Sequence, residues 1–208
     1  MCIRDRAKAQ LEDQDPTIRI HAAIATLKMD DDLGTSEIES ALASANDTLI
    51  QTAMQGLEEA GYFGAPLLVT LSAGAGPNQS ALNAVVAKVN DQLVAQLKAE
   101  EPDQRQRAAL ALGQIGDPAT APALANLLED ASNQVRFSAA AALAEMGQAQ
   151  GIDFLFEALR DTDSILRANA VKFLVNVQAQ SGSVEDQLVA ALDATDPLAR
   201  AGAAQVLG

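Results

Sequence analysis

Arg105-Gln-Arg-Ala-Ala-Leu-Ala-Leu-Gly113 recurs, arginine first and aliphatic pattern kept, as Arg136-Phe-Ser-Ala-Ala-Ala-Ala-Leu-Ala144, Arg167-Ala-Asn-Ala-Val-Lys-Phe-Leu-Val175 and Arg200-Ala-Gly-Ala-Ala-Gln-Val-Leu-Gly208. The arginines lie 31, 31 and 33 residues apart. Each segment follows a turn: Glu101-Pro102-Asp103, Ser132-Asn133, Asp161-Thr-Asp163 and Asp196-Pro197. Val135, Ala139, Ala142, Leu143 and Met146 share one face at helical spacing, which leaves positions 138, 141 and 145 for the other. A second marker repeats in register. Asp91-Gln-Leu-Val-Ala-Gln-Leu97 returns as Asp186-Gln-Leu-Val-Ala-Ala-Leu192, offset by 95 residues, the same offset that separates Arg105 from Arg200. Two markers sharing one offset define an internal repeat of paired helices.

Working outward, Asp15-Pro-Thr-Ile-Arg19-Ile-His-Ala-Ala23 carries the pattern, and Asp47-Thr-Leu-Ile-Gln-Thr-Ala53 lies one period later without its arginine. Residues 76–90 read as a degenerate unit after a loop marked by Gly74, Gly76 and Pro77, and the shortened spacing to Arg105 predicts an irregular step there. The first helix of a unit is illustrated by Thr120 to Asp130, with Pro122 in its opening turn. Ser36-Glu-Ile-Glu39 and Ser183-Val-Glu-Asp186 have the form of capping boxes. One pair of helices cannot bury enough surface alone, so units must stack and share a core. The expected fold is all-α: a solenoid, or armadillo-like superhelix, of roughly six to seven helix-turn-helix repeats.

Composition agrees. Apolar residues make up 49% and aromatics 3%, with no Trp, so the core must be thin aliphatic layers. The net charge of −14 disfavours nucleic acid, whose binding is driven by counterion release onto Lys and Arg, and reads as solubility. No apolar run approaches the roughly 18 residues that predict a membrane span. The lone Cys2 excludes an internal disulfide framework. Residues 1–6 fit no repeat and lack the apolar core of a signal peptide, and are expected to be a non-native leader replacing a missing N-terminus. Cytoplasmic location is then the default. Residues 7–100 read as divergent repeats and 101–208 as regular ones, truncated at the C-terminus.

Arg107-Ala-Ala-Leu-Ala-Leu-Gly-Gln-Ile-Gly-Asp-Pro-Ala-Thr-Ala-Pro-Ala-Leu-Ala-Asn-Leu-Leu-Glu-Asp130 resembles the bacterial HEAT-like repeats of the phycobilin-lyase type. The resemblance covers residues 101–208 strongly and 12–100 loosely. It implies a helical scaffold whose second helices line a concave, partner-holding face. It also implies an Asp–Arg ladder, here Asp15–Arg19, Asp163–Arg167 and Asp196–Arg200, while Arg105 and Arg136 lack an Asp at that offset. Related families include bilin lyases, so an enzyme subunit or arm is the alternative function. They also include a di-iron hydroxylase, whose repeated His-Glu pairs a chain with one histidine, His21 followed by Ala22, cannot supply.

An anion-binding stripe competes with the ladder, but arginines at one structural position with carboxylates nearby are more simply inter-repeat struts. A catalytic set would have to use His21, and no serine stands out by motif. Asp30-Asp31-Asp32 lacks the alternating oxygen ligands of a calcium loop and reads as a solvated turn. Gly74-Ala-Gly76-Pro77 lacks the lysine and strand of a phosphate loop. No cofactor or metal is expected. Acidic residues such as Glu12, Asp13, Glu37, Glu39, Glu129 and Glu157 belong to turns and first helices. The outward positions of second helices are nearly neutral: Ile20, His21, Ile24, Arg107, Leu110, Phe137, Ser138, Asn169, Lys172, Asn176 and Gln205. These are the candidate groove, with Phe137 and Leu110 as anchors. The function expected is non-catalytic binding of a protein or peptide, with neither nucleic acid nor membrane as partner.

Overall fold

The computed structural model describes residues 3–74, 78–181 and 184–208. Expectations resting on Cys2, Gly76, Pro77 and Ser183 lie outside the described residues. All regular structure among the described residues is helical. The chain divides into two compact units, residues 1–95 and 96–208.

The first unit holds α1 (Ile3–Gln10), α2 (Pro16–Leu27), α3 (Thr35–Ala43), α4 (Asp47–Ala60), a 3-10 turn (Gly61–Gly64), α5 (Ala65–Ser72) and α6 (Gln79–Gln96). Helix α2 packs on α1, α3 and α4, and α4 also packs on α3. Ile20, Ile38, Leu57 and Leu68 are fully buried. The second unit holds α7 (Pro102–Ile115), α8 (Ala121–Ala125), α9 (Asn133–Glu145), α10 (Ala149–Ala158), α11 (Ser164–Ser181), α12 (Glu185–Leu192) and α13 (Pro197–Leu207). Its second helices touch in order, α7 on α9, α9 on α11, α11 on α13, while α8, α10 and α12 each pack on the second helix that follows. That nearest-neighbour order is what stacked repeats require, since each unit buries its aliphatic face only against adjacent copies.

The recurrent arginines do one job five times. Nη1 of Arg19 donates to the carbonyls of Asp13 and Gln14, Arg105 to Ala99 and Glu100, Arg136 to Asp130 and Ala131, Arg167 to Asp161 and Thr162, Arg200 to Ala194 and Thr195. In every case these are the carbonyls six and five residues back, in the turn before the arginine's own helix. Each arginine thus fastens the turn of its own repeat with charge-assisted bonds. Asp15, Asp163 and Asp196 do not pair with the arginines as the ladder reading expects. Their Oδ1 atoms accept from the N–H of Thr17, Ile165 and Leu198 and cap α2, α11 and α13. The carboxylates that meet arginines come from elsewhere in sequence: Glu37 receives Arg19 Nε at 2.9 Å, and Asp130 receives Nε and Nη2 of Arg105 at 2.7 and 2.9 Å.

Two local expectations are corrected and a third takes definite form. Ser36 is not a cap: the turn closed by Thr35 N–H on the Asp32 carbonyl already winds the chain, so α3 starts at Thr35 with no side-chain cap. The first helix expected over Thr120 to Asp130 is broken into a 3-10 turn (Pro118–Thr120), α8 and a second 3-10 turn (Asn126–Glu129). Pro122 sits in the first turn of α8, where a missing N–H leaves no intrahelical bond unmade. The irregular step before Arg105 takes the form of a fusion. No Gly or Pro occurs between Gln79 and Gln96, and α6 runs uninterrupted through Asn90-Asp91. The string that ends α6 therefore opens a separate helix, α12, at its second occurrence.

A further regularity follows α2, α7 and α9. Eleven residues after the arginine, Gly116 and Gly147 adopt φ of +72° and +70° and end α7 and α9. The equivalent residue after Arg19 is Asp30, with φ +58°. The N–H of Asp31 bonds to the Thr26 carbonyl as that of Gln148 bonds to Leu143, so the turn is the same. A side chain in this left-handed region crowds its own carbonyl, and glycine does not.

We expect Asp30→Gly to raise the free energy of unfolding by about 0.5–1 kcal/mol in urea denaturation. We expect Asp130→Asn, which keeps the oxygen facing Ser132 N–H but loses the charge facing Arg105, to cost about 1–3 kcal/mol at neutral pH, because Asp130 and Arg105 are only 11% and 14% exposed. The hydrogen bond from Arg105 holds the Asp130 carboxyl below its ordinary value of 3.8. Its stabilisation is therefore complete above that value and lost as pH falls through the lower folded one, so the two proteins should converge in stability below about pH 4.

Candidate functional site

In the first unit the second-helix surface is formed by α2, α4 and α6. Burial of Leu82, Val85, Val89 and Leu93 turns Ala81, Ala84 and Lys88 of α6 outward. Across from them, α4 exposes Gln51 and Gln55 around half-buried Met54. The two helices border a groove of about 590 Å³ with an apolar floor of Met54, Ala81, Ala84 and Val85 and polar walls of Gln51, Gln55, Glu58, Glu59 and Lys88.

Charge in this groove is internally balanced. Lys88 Nζ lies 3.0 Å from Glu58 Oε2, and Lys28 Nζ lies 3.1 Å from Glu59 Oε2. Glu59 also accepts from Gln55 Nε2 at 3.0 Å. The Lys28 hydrogen bond, then that of Gln55, holds the Glu59 carboxyl below the usual range. The groove walls are thus paired and near neutral in a chain of net charge −14. On α2, His21 is exposed and its Nδ1 lies 2.7 Å from the Thr17 carbonyl. A carbonyl can only accept, so Nδ1 is the donor in this contact.

The sequence-derived groove residues separate into two groups. His21, Arg107, Leu110, Lys172, Asn176 and Gln205 are exposed, and Asn169 is partly so. Asn169, Lys172 and Asn176 fall on one face of α11 at helical spacing, and Arg107 and Leu110 stand one turn apart on α7. Ile20, Ile24, Phe137 and Ser138 are buried, at 1%, 6%, 4% and 3% exposure, and are withdrawn from any partner-facing surface. On α2 the reason is contact with α1, α3 and α4 at once. On α9 it is contact with α7, α8, α10 and α11, which buries Val135 and every residue from Phe137 to Ala144. A helix enclosed on all sides has no outward face to read from periodicity.

Phe137 is an internal anchor. Its ring meets Phe154 edge-on at 5.5 Å between centroids and stacks on Phe173 at 6.4 Å. It lines a crevice of about 180 Å³ with Arg136, Phe154 and Glu157. At the end of α9, Glu145 stays partly in solvent but brings its carboxyl over Gly113, and desolvation there raises its pKa.

Sequence reading missed Gln51, Met54, Gln55, Ala84 and Lys88. The signal for α4 was present, since Asp47-Thr-Leu-Ile-Gln51 aligns with the arginine-bearing segments and so marks a second helix. For α6 the signal was masked by its division between two units. Among the described residues no group of His, Cys, Asp or Glu is arranged to hold a metal ion, and no helix is long and apolar enough to cross a membrane.

A family model described as HEAT repeats matches residues 90–175. No curated protein matches the sequence. Among solved structures, the chain is similar to an engineered protein at 21% identity and TM-score 0.49, over 100% of this chain and 98% of that one. It is similar to the complex of CpcE and CpcF of phycocyanin lyase from Nostoc sp. PCC7120 at 18% identity and TM-score 0.41, over 100% and 87%. A designed armadillo repeat protein aligns at 18% identity and TM-score 0.45, over 97% of each chain. Residues 90–175 are thus similar to HEAT repeats, and the same paired-helix, arginine-clamped unit is found on both sides of them, so this is a helical-repeat protein.

Proposed function

We propose that the chain is a protein- or peptide-binding scaffold that works through the surface of its second helices and performs no catalysis of its own. One observation carries this reading: the open groove between α4 and α6, floored by Met54, Ala81, Ala84 and Val85 and walled by glutamines and paired charges. An apolar floor takes partner side chains, while glutamine amides both donate to and accept from a partner backbone. The internal pairing of Glu58 and Glu59 with Lys88 and Lys28 removes the repulsion that the rest of this acidic chain would impose. In the second unit the exposed positions Arg107, Leu110, Asn169, Lys172, Asn176 and Gln205 are the corresponding candidates, and His21 joins them on α2.

A peptide selected from a random library against the native protein tests the reading. Met54→Glu with Ala84→Glu should weaken its binding at least tenfold, about 1.4 kcal/mol. Glu157→Gln with Asp153→Asn on α10 should leave binding within about twofold, which fluorescence anisotropy resolves. Undiminished binding by the Met54/Ala84 variant, with its helical circular dichroism intact, would remove the α4–α6 groove as the binding surface.

A further inference from the structure

We propose that a second recess in the first unit, separate from the α4–α6 groove, receives an arginine side chain of a partner protein. The recess of about 550 Å³ lies where the turn after α2, the start of α3, the 3-10 turn and α5 meet. Its apolar lining is Leu27, Phe63, Pro66 and Leu67, and its acidic lining is Asp30, Asp31, Asp32 and Glu39. The volume falls within the roughly 300–1,000 Å³ of pockets that enclose a small ligand.

The charges around the recess are not balanced as those of the α4–α6 groove are. Lys8 lies 2.9 Å from Asp31, whose other oxygen accepts from Leu33 N–H at 3.3 Å. Asp30, Asp32 and Glu39 have no ion-pair partner among the described residues. Arg4 bonds the Met29 carbonyl and acts with Lys8 on Asp31, which leaves four carboxylates facing two resident cations. An apolar lining with that acidic excess is complementary to a side chain that is apolar along its stem and cationic at its head. It repels phosphate, which excludes nucleic acid and anionic lipid. The carboxylates are not grouped as ligands around one point, so the arrangement does not suit a divalent ion. Guanidinium suits it better than ammonium: its donors form a fork wide enough for spread carboxylates, and its flat face stacks on a ring such as Phe63. Asp30 adds to the case. It keeps a carboxylate at the recess in a backbone position that two sister repeats give to Gly116 and Gly147.

The test uses a fluorescein-labelled peptide, Gly-Ser-Leu-Arg-Leu-Ser-Gly, and the same peptide with citrulline, an uncharged isostere, in place of arginine. Saturable binding of the arginine peptide to the full chain, with at least a tenfold loss for the citrulline peptide, is the expected result. The variant Asp30→Gly/Asp32→Asn/Glu39→Gln should lose at least tenfold, and Glu39→Gln alone should lose part of that. A charge-matched control, Glu185→Gln/Asp186→Asn/Asp193→Asn, should bind within twofold of the native chain. Met54→Glu should also leave binding unchanged, so failure here is distinct from failure of the α4–α6 groove. Equal binding of both peptides, an equal loss in the control, or displacement of the peptide by stoichiometric calcium chloride would overturn the proposal.

Discussion

The regular repeats depend on one arrangement: an arginine in the first turn of α2, α7, α9, α11 and α13 donating to two carbonyls of the turn before it. Helix ends leave backbone groups without intrahelical partners, and the arginine supplies donors to the carbonyls of the turn. Nη1 reaches back to the carbonyls six and five residues earlier in five repeats, from Arg19 to Arg200. Cap and clamp act on the same turn from opposite sides. In α2, α11 and α13 an Asp at the cap accepts from an N–H of the first turn, while the arginine holds the carbonyls that lead into the helix.

Small residues then let adjacent repeats approach. Ala139 to Ala142 of α9 are all buried, and the helix has neighbours on every side. Phenylalanines fill the volumes that alanines leave, with Phe137, Phe154 and Phe173 meeting between α9, α10 and α11. The remaining arginine donors tie one repeat to the next, Arg105 to Asp130 and Arg19 to Glu37. Turn clamps act within repeats and these bridges between them, so the same side chain serves both levels of the architecture.

The two surfaces of the first unit differ in electrostatic design. Along α4 and α6 each glutamate has its lysine, and glutamines fill the remaining wall. Around the turn after α2, one carboxylate is paired and three are not. A neutral, amide-rich groove offers shape and backbone hydrogen bonds, whereas an acidic recess with an aromatic wall selects for a cation. Both lie within a chain whose overall charge would by itself say only that it is acidic.

The period, the paired helices, the turn positions and the identity of the recurrent arginine were all legible in the sequence, because they are local: each depends on residues within one repeat. What the arginine bonds to was not, because carbonyls carry no sequence signature, and the visible aspartates turned out to be caps. Nor did periodicity reveal which helix faces are open. It reported Phe137 and Ser138 as outward, yet a helix enclosed by four others buries outward and inward positions alike. Likewise the string around Asp91 and its copy at Asp186 are almost identical, and one ends a helix while the other begins one. The groove between α4 and α6 and the recess beside Asp30 each join residues from helices that are remote in sequence. Burial and enclosure are properties of neighbours rather than of residues, so only the tertiary structure decided them.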